Sequence, residues 1–116
     1  MDAEALAHLV VDTLEDLKAI DIKVLDVRKH TDITDYMIIA SGNSVRQVKA
    51  FAIRVVEKTK AEGLKPIGVE GEEAAEWVLI DLGDVVVHAM QRSARDFYQL
   101  EKLWDMAAAG RQTDSA

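Results

Sequence analysis

The chain contains no cysteine, and this absence excludes three kinds of chemistry at once. Without thiols it can have no disulfide bond, no thiolate metal site and no cysteine nucleophile. The lack of disulfide bonds is typical of proteins in a reducing compartment. No apolar run reaches the roughly 18 residues that a membrane-spanning helix needs, and residues 1–5 lack the basic start of a signal peptide. We therefore expect a cytoplasmic protein with no membrane partner.

Positive charge is also scarce, since 14 Lys and Arg stand against 21 Asp and Glu and leave a net charge of −7. A protein that grips nucleic acid must neutralise phosphates with Lys and Arg, so an acidic chain argues against DNA as a partner. It suits a basic protein surface instead, because opposite charges speed association. The second predicted helix is the most basic element and carries Arg46, Lys49, Arg54, Lys58 and Lys60. These residues either make a minor contact with RNA or form an ordinary solvated helix face.

At 116 residues the chain has the length of one domain. Apolar periodicity predicts the order helix, strand, strand, helix, three strands, helix, which is an α/β domain with a mixed sheet of about five strands and helices mainly on one face. Ser44 and Gln47 form a capping-box pattern that should start the second helix. We assign residues 1–109 to the domain and 110–116 to a disordered polar tail. The last helix should carry five residues at helical spacing: Phe97, Leu100, Leu103, Trp104 and Ala107.

Gly83 and Asp84 form a two-residue turn, which predicts a β-hairpin centred on them. One face of this hairpin is wholly apolar and should line the core: Val78, Ile80, Leu82, Val85, Val87 and Ala89. The opposite face pairs Trp77 with Met90, Leu79 with His88, and Asp81 with Val86. That face lacks the Lys, Glu and Thr of a solvated sheet. Two interpretations of this face remain open. Either a second layer of the same domain covers it, or it is a surface that binds a partner protein or a second copy of the chain.

Several segments carry a resemblance to a known family. They are EWVLID from Glu76, GDVVVH from Gly83, RDFY from Arg95 and, upstream, TDYMIIASG from Thr34. Together they resemble the ribosomal silencing factor family, also called the Iojap family, over residues 5–107. The chain departs from the family pattern at Ala75, where glycine is usual, and at Leu82, where tyrosine is frequent.

The resemblance implies a translational repressor that needs no catalytic residue, metal or cofactor. Such proteins bind the large ribosomal subunit through its ribosomal protein number fourteen and block joining of the small subunit when nutrients are limiting. It also implies a nucleotidyltransferase-like fold without catalytic residues and at most a minor contact with ribosomal RNA. For the free protein we expect a homodimer, because the apolar surface around Trp77 is costly to leave in water. The partner-binding residues that follow are Trp77, Leu79, Asp81, Asp84, His88 and Glu70.

An enzyme is the alternative interpretation. The turn of Ser41, Gly42, Asn43 and Ser44 joins a strand to a helix, and such a turn can hold phosphate with its backbone N–H groups. Glu70 and Glu72 have the spacing of paired magnesium ligands. However, no third carboxylate accompanies them, and no two histidines have metal-ligand spacing. The sequence therefore favours a binding protein over a nucleotidyl-transferring enzyme.

Overall fold

Five strands form one mixed sheet in the computed structural model, which describes residues 1–102. The strands lie in the order β1-β2-β5-β4-β3, with β2 and β5 parallel and the other neighbours antiparallel. The α/β class and the predicted order of elements are thereby confirmed. The bounds are α1 Ala3–Asp16, β1 Ile20–Asp26, β2 Tyr36–Gly42, α2 Val45–Ala61, β3 Gly68–Glu70, β4 Trp77–Asp81, β5 Val85–Gln91 and α3 Arg92–Tyr98.

Helices α1 and α2 pack on one face of the sheet, which we call the inner face, and the main core lies between them. Leu14 of α1, Phe51 of α2 and Ile80 of β4 are fully buried there. The apolar face of the predicted hairpin lies in this core, and Val78 pairs with Ala89 as expected. Within residues 1–102, no helix has the length and apolar character needed to cross a membrane.

The first two helices begin at side-chain caps. The Asp2 carboxylate accepts the Ala5 N–H at 2.8 Å, and the Ser44 hydroxyl accepts the Gln47 N–H at 3.1 Å. The second cap confirms the predicted start of α2. The Gln47 side chain differs slightly from the capping-box pattern, because it accepts the N–H of Asn43 at 2.8 Å rather than that of Ser44.

Two elements differ from the sequence pattern. Strand β1 covers Ile20–Asp26, and its pairing with β2 shifts between Ile20 and Lys23, which interrupts simple alternation. Helix α3 ends at Tyr98 because Gln99 is left-handed at φ 50°, so the predicted continuous helical face is broken there. Leu103, Trp104 and Ala107, like the tail 110–116, lie outside the described residues.

The opposite, outer face of the sheet is partly covered by α3 and the residues after it. A second core forms there, to which Leu100 adds a partly buried side chain. Its buried members are Val27, Met37, Ile39, Met90 and Ala94. The interpretation of the outer face as an internal layer is therefore correct for β2 and β5. Strand β4 lies at the margin of this cover.

The backbone conformation of Ala75 explains why glycine is usual at this position in the family. It ends the turn before β4 at φ 50°, in the left-handed region where glycine costs least. Its N–H donates to the Gly71 carbonyl at 3.0 Å, and Gly71 is itself left-handed at φ 85°. The turn thus needs two positive φ angles, and only one of them falls on a glycine.

Candidate partner-binding site

The outer face of the β4–β5 hairpin has the predicted register. Trp77 lies opposite Met90, Leu79 opposite His88, and Asp81 opposite Val86. Because side chains alternate along a strand, Trp77, Leu79 and Asp81 project from the same side of β4. The alternation in the sequence was therefore sufficient to place these residues on one face.

The two strands of the hairpin differ in exposure on this face. Trp77, Leu79 and Asp81 on β4 are half-buried. On β5, Met90 belongs to the second core and is 0% exposed, while His88 contacts the Trp77 ring and is 4% exposed. His88 was expected among the partner contacts, and the structure instead places it beneath the surface. Met90 contributes no exposed apolar area.

Two aromatic residues of α3 extend the exposed part of β4. Tyr98 packs against Trp77 with ring centroids 4.9 Å apart, and Phe97 meets Tyr98 edge-on at 5.1 Å. Phe97 is 80% exposed and Tyr98 46%. Phe97 lies in the last helix as predicted, and because α3 ends one residue later its ring stays exposed. We call the following set of half-buried and exposed residues the β4 strip: Trp77, Leu79, Asp81, Phe97 and Tyr98.

His88 contacts the β4 strip from below. The Trp77 indole Nε1–H donates to His88 Nδ1 at 2.9 Å, and the two ring centroids lie 5.8 Å apart. Burial lowers the pKa of the imidazole from its ordinary 6.5 to about 4. His88 is therefore neutral at physiological pH, which an acceptor at Nδ1 requires.

The acidic residues proposed from the sequence surround the strip unevenly. Glu70 of β3 is exposed and lies directly across from Leu79, so it borders the strip. The Asp81 carboxylate accepts the Gly83 N–H at 2.9 Å and so also stabilises the hairpin turn. Asp84 is exposed in that turn, at the end of the hairpin away from Trp77. The structure thus brings Glu70, Leu79 and Asp81 together and leaves Asp84 at the rim.

Arg95 is a buried charged residue that the sequence analysis did not single out. It is 8% exposed, and its guanidinium donates to the Asp21 carbonyl, to the Ser41 hydroxyl at 2.9 Å and to both Glu101 oxygens at 3.1 and 2.9 Å. The hydrogen bonds from Arg95 lower the pKa of Glu101. Since Arg95 and Glu101 are six residues apart, they lack the three- or four-residue spacing that marks a helical ion pair in a sequence. The ion pair fixes α3, and with it Tyr98, against the sheet.

The turn considered for phosphate binding is already occupied by internal contacts. Ser41 is 1% exposed and bonds to Arg95, while the Asn43 N–H is taken by Gln47. The Ser44 hydroxyl caps α2. These contacts use the Asn43 N–H and the Ser41 and Ser44 hydroxyls within the protein, so the geometry favours a structural turn.

The two carboxylates considered for magnesium do not converge. Glu70 pairs with Leu79 at the outer face, whereas Glu72 lies beside Lys49 and Ile53 of α2 on the inner side. Residues 1–102 contain no group of three His, Cys, Asp or Glu side chains placed to hold a metal ion. Glu70 and Glu72 therefore do not form the paired-carboxylate site that the alternative interpretation requires.

Comparison with known proteins agrees with the resemblance seen in the sequence. The family model described as "Ribosomal silencing factor during starvation" matches residues 1–116. A Haemophilus influenzae protein named ribosomal silencing factor RsfS is 48% identical over 100 residues, covering 86% of this chain and 98% of its own. A crystal structure of a Chromobacterium violaceum protein has a TM-score of 0.89 at 47% identity and covers 90% of this chain and 88% of its own. A mouse protein named "Mitochondrial assembly of ribosomal large subunit protein 1" is 33% identical over 101 residues, 84% of this chain and 44% of its own length.

Proposed function

The chain belongs to the ribosomal silencing factor family, and we propose that it represses translation in the cytoplasm by binding the large ribosomal subunit. In this proposal it contacts ribosomal protein number fourteen and blocks joining of the small subunit when nutrients are limiting. Family membership supports a ribosome-associated silencing role, and the family is not known as one of enzymes. The name of the mouse relative refers to the ribosomal large subunit and supports the choice of subunit.

The observation that carries the proposal is the β4 strip. It places partly or mostly exposed aromatic rings beside carboxylates on a chain of net charge −7. Interfaces concentrate their binding energy in a few aromatic and charged anchors at the centre, with a polar rim around them. An apolar centre with an acidic rim suits a basic protein surface, and ribosomal proteins must be basic where they meet RNA.

We assign the individual roles from exposure and neighbours. Trp77 is the apolar anchor because it is accessible yet held by contacts on two sides. Asp81 offers one carboxylate oxygen to an Arg or Lys of the partner while the other holds the Gly83 N–H. Leu79 adds apolar area between them, and Glu70 contributes acidic charge at the border.

The proposal is tested by measuring binding of variants to isolated large subunits. Trp77→Ala should weaken binding about 30-fold, because truncating an interface tryptophan typically costs about 2 kcal/mol or more. Asp81→Lys should weaken it comparably by opposing a basic partner. Asp81→Asn keeps an acceptor for Gly83 and so separates the loss of charge from the loss of the turn contact. Each variant should also block subunit joining less well, in proportion to its lost affinity.

Two controls lie on other surfaces of the molecule. Asp12→Lys reverses an exposed charge on α1, on the opposite side of the sheet, and should leave binding within about twofold. Ile53→Ser removes a 60% exposed apolar residue from α2 and should also leave binding to large subunits within about twofold. If Asp12→Lys weakens binding as much as Asp81→Lys, general acidity rather than the β4 strip attracts the subunit.

We also propose that the free protein forms a homodimer through the same strip. Its exposed rings would be shielded by a second copy, which removes apolar surface from water. Dimer and ribosome would then compete for one surface, so adding large subunits should dissociate the dimer.

A further inference from the structure

We propose that His88 is a positioning residue, which holds the Trp77 indole in the single orientation that the ribosomal partner meets. This inference rests on the proposed function and deepens it, because it states how the anchor of the β4 strip is kept ready. It follows from the surroundings of Trp77, from the chemistry of the imidazole and from the neighbours of His88.

Contacts on two sides define the orientation of the Trp77 ring. On the buried side its Nε1–H donates to His88 Nδ1 at 2.9 Å, with the two ring planes inclined at 50°. On the other side the Tyr98 ring packs against it at 4.9 Å and 48°. The hydrogen bond is directional and the ring contact is much less so. The imidazole is therefore the contact that distinguishes one ring flip of the indole from the other.

The imidazole acts here through one nitrogen. An acceptor at Nδ1 carries no proton, so the proton of the neutral ring is on Nε2. Within residues 1–102, Nε2 is enclosed and has no hydrogen-bond partner. Burial keeps the ring neutral, with a pKa of about 4, so the Nδ1 lone pair is available throughout the physiological pH range.

Packing alone does not require a histidine at this position. His88 lies between Ile39 of β2 and Leu79 of β4 on the outer face, and both neighbours are aliphatic. A leucine would fill the site without burying a polar N–H. Only the imidazole supplies an acceptor for the Trp77 indole N–H. A Trp77 ring that is ordered before binding loses less conformational freedom when the partner binds.

The test replaces His88 with leucine, which removes the acceptor, and with asparagine, whose Oδ1 lies as many bonds from the backbone as Nδ1. The chain has two tryptophans, so its ¹⁵N spectrum contains two indole signals, and Trp77→Phe identifies the one of interest. Indole N–H exchange at Trp77 should be slow in the unaltered protein and in His88→Asn, and fast in His88→Leu. Affinity for large subunits should fall about three- to tenfold in His88→Leu and recover in His88→Asn.

A stability control and a double-mutant cycle separate positioning from general destabilisation. Ile39→Val removes one buried methylene beside His88 and leaves the hydrogen bond intact, so it should lower stability without changing affinity. In a Trp77→Phe background, His88→Leu should have no further effect on binding, because the indole through which it acts is gone.

Three results would overturn the inference. They are slow indole exchange in His88→Leu, additive effects of the two substitutions on affinity, and an equal loss of binding in Ile39→Val. If the unaltered protein does not bind large subunits, the proposed function fails instead. Indole exchange in the free protein needs no partner and then decides by itself whether His88 holds Trp77.

Discussion

Mild acid should destabilise this protein through protonation of His88. The folded chain protonates the imidazole only near pH 4, because burial lowers its pKa to about that value, whereas an unfolded chain protonates it near 6.5. Between these values the unfolded state binds the extra proton, so stability rises with pH and is lost as the pH falls. The perturbation is a change from about pH 7.5 to about pH 5.

The size of the effect follows from the gap between the two pKa values. At about 1.4 kcal/mol per pKa unit the full penalty is roughly 3 kcal/mol, of which about 2 kcal/mol is present at pH 5. For a chain of this length that loss lowers the melting temperature by roughly 8 °C. Glu101 does not contribute in this range, because its lowered pKa means that its stabilisation is lost only on further acidification, below the ordinary 4.5.

The measurement is the free energy of unfolding by urea at several pH values, for the unaltered chain and for His88→Asn. The variant should lose about 2 kcal/mol less than the unaltered chain between pH 7.5 and 5. His8→Asn changes an exposed histidine of α1 and should retain the full pH dependence. Parallel stability curves for the unaltered chain and His88→Asn would refute the assignment of a buried, neutral imidazole.

The remaining predictions concern the core, the turn before β4, the ion pair of α3 and self-association. Ile80→Ala should cost about 2–5 kcal/mol in urea unfolding, because Ile80 is 0% exposed and leaves a cavity in the main core. Gly71→Ala should cost at least about 2 kcal/mol of stability, since Gly71 has φ 85° and an added Cβ would collide with the Trp77 carbonyl oxygen. The control is Gly63→Ala, which should cost less, because exposed Gly63 has a similar φ of 83° but an added Cβ there meets no other atom. Glu101→Gln should cost about 2 kcal/mol of stability, because it leaves the charge of buried Arg95 uncompensated. A loss below about 1 kcal/mol, which is typical of an exposed ion pair, would contradict the proposed role of this pair. Light scattering at high micromolar concentration should give the mass of a dimer, and a clean monomer would contradict self-association through the β4 strip.

The local features of this fold were readable from its sequence. The Gly83 and Asp84 turn fixed the register of the hairpin, and period-two alternation then assigned every residue of β4 to its face. Ser44 marked the start of α2 because an N-cap needs only a short polar side chain at the right place. In the candidate site, Trp77, Leu79 and Asp81 could be found in this way, since each depends on neighbours a few residues away.

Tertiary structure decided which parts of the outer face are covered. Alternation states which residues share a face, but a cover must come from elsewhere in the chain, and here α3 and Leu100 supply it over β2 and β5. Arg95 holds that cover by bonding to groups 74 and 54 residues away, at Asp21 and Ser41, and no local pattern encodes such distances. His88, which the sequence had suggested as a surface contact, is buried and accepts the Trp77 indole N–H. Local patterns of residues were enough to place the strands and their faces, whereas long-range packing set which residues are exposed, because burial depends on which elements meet in space.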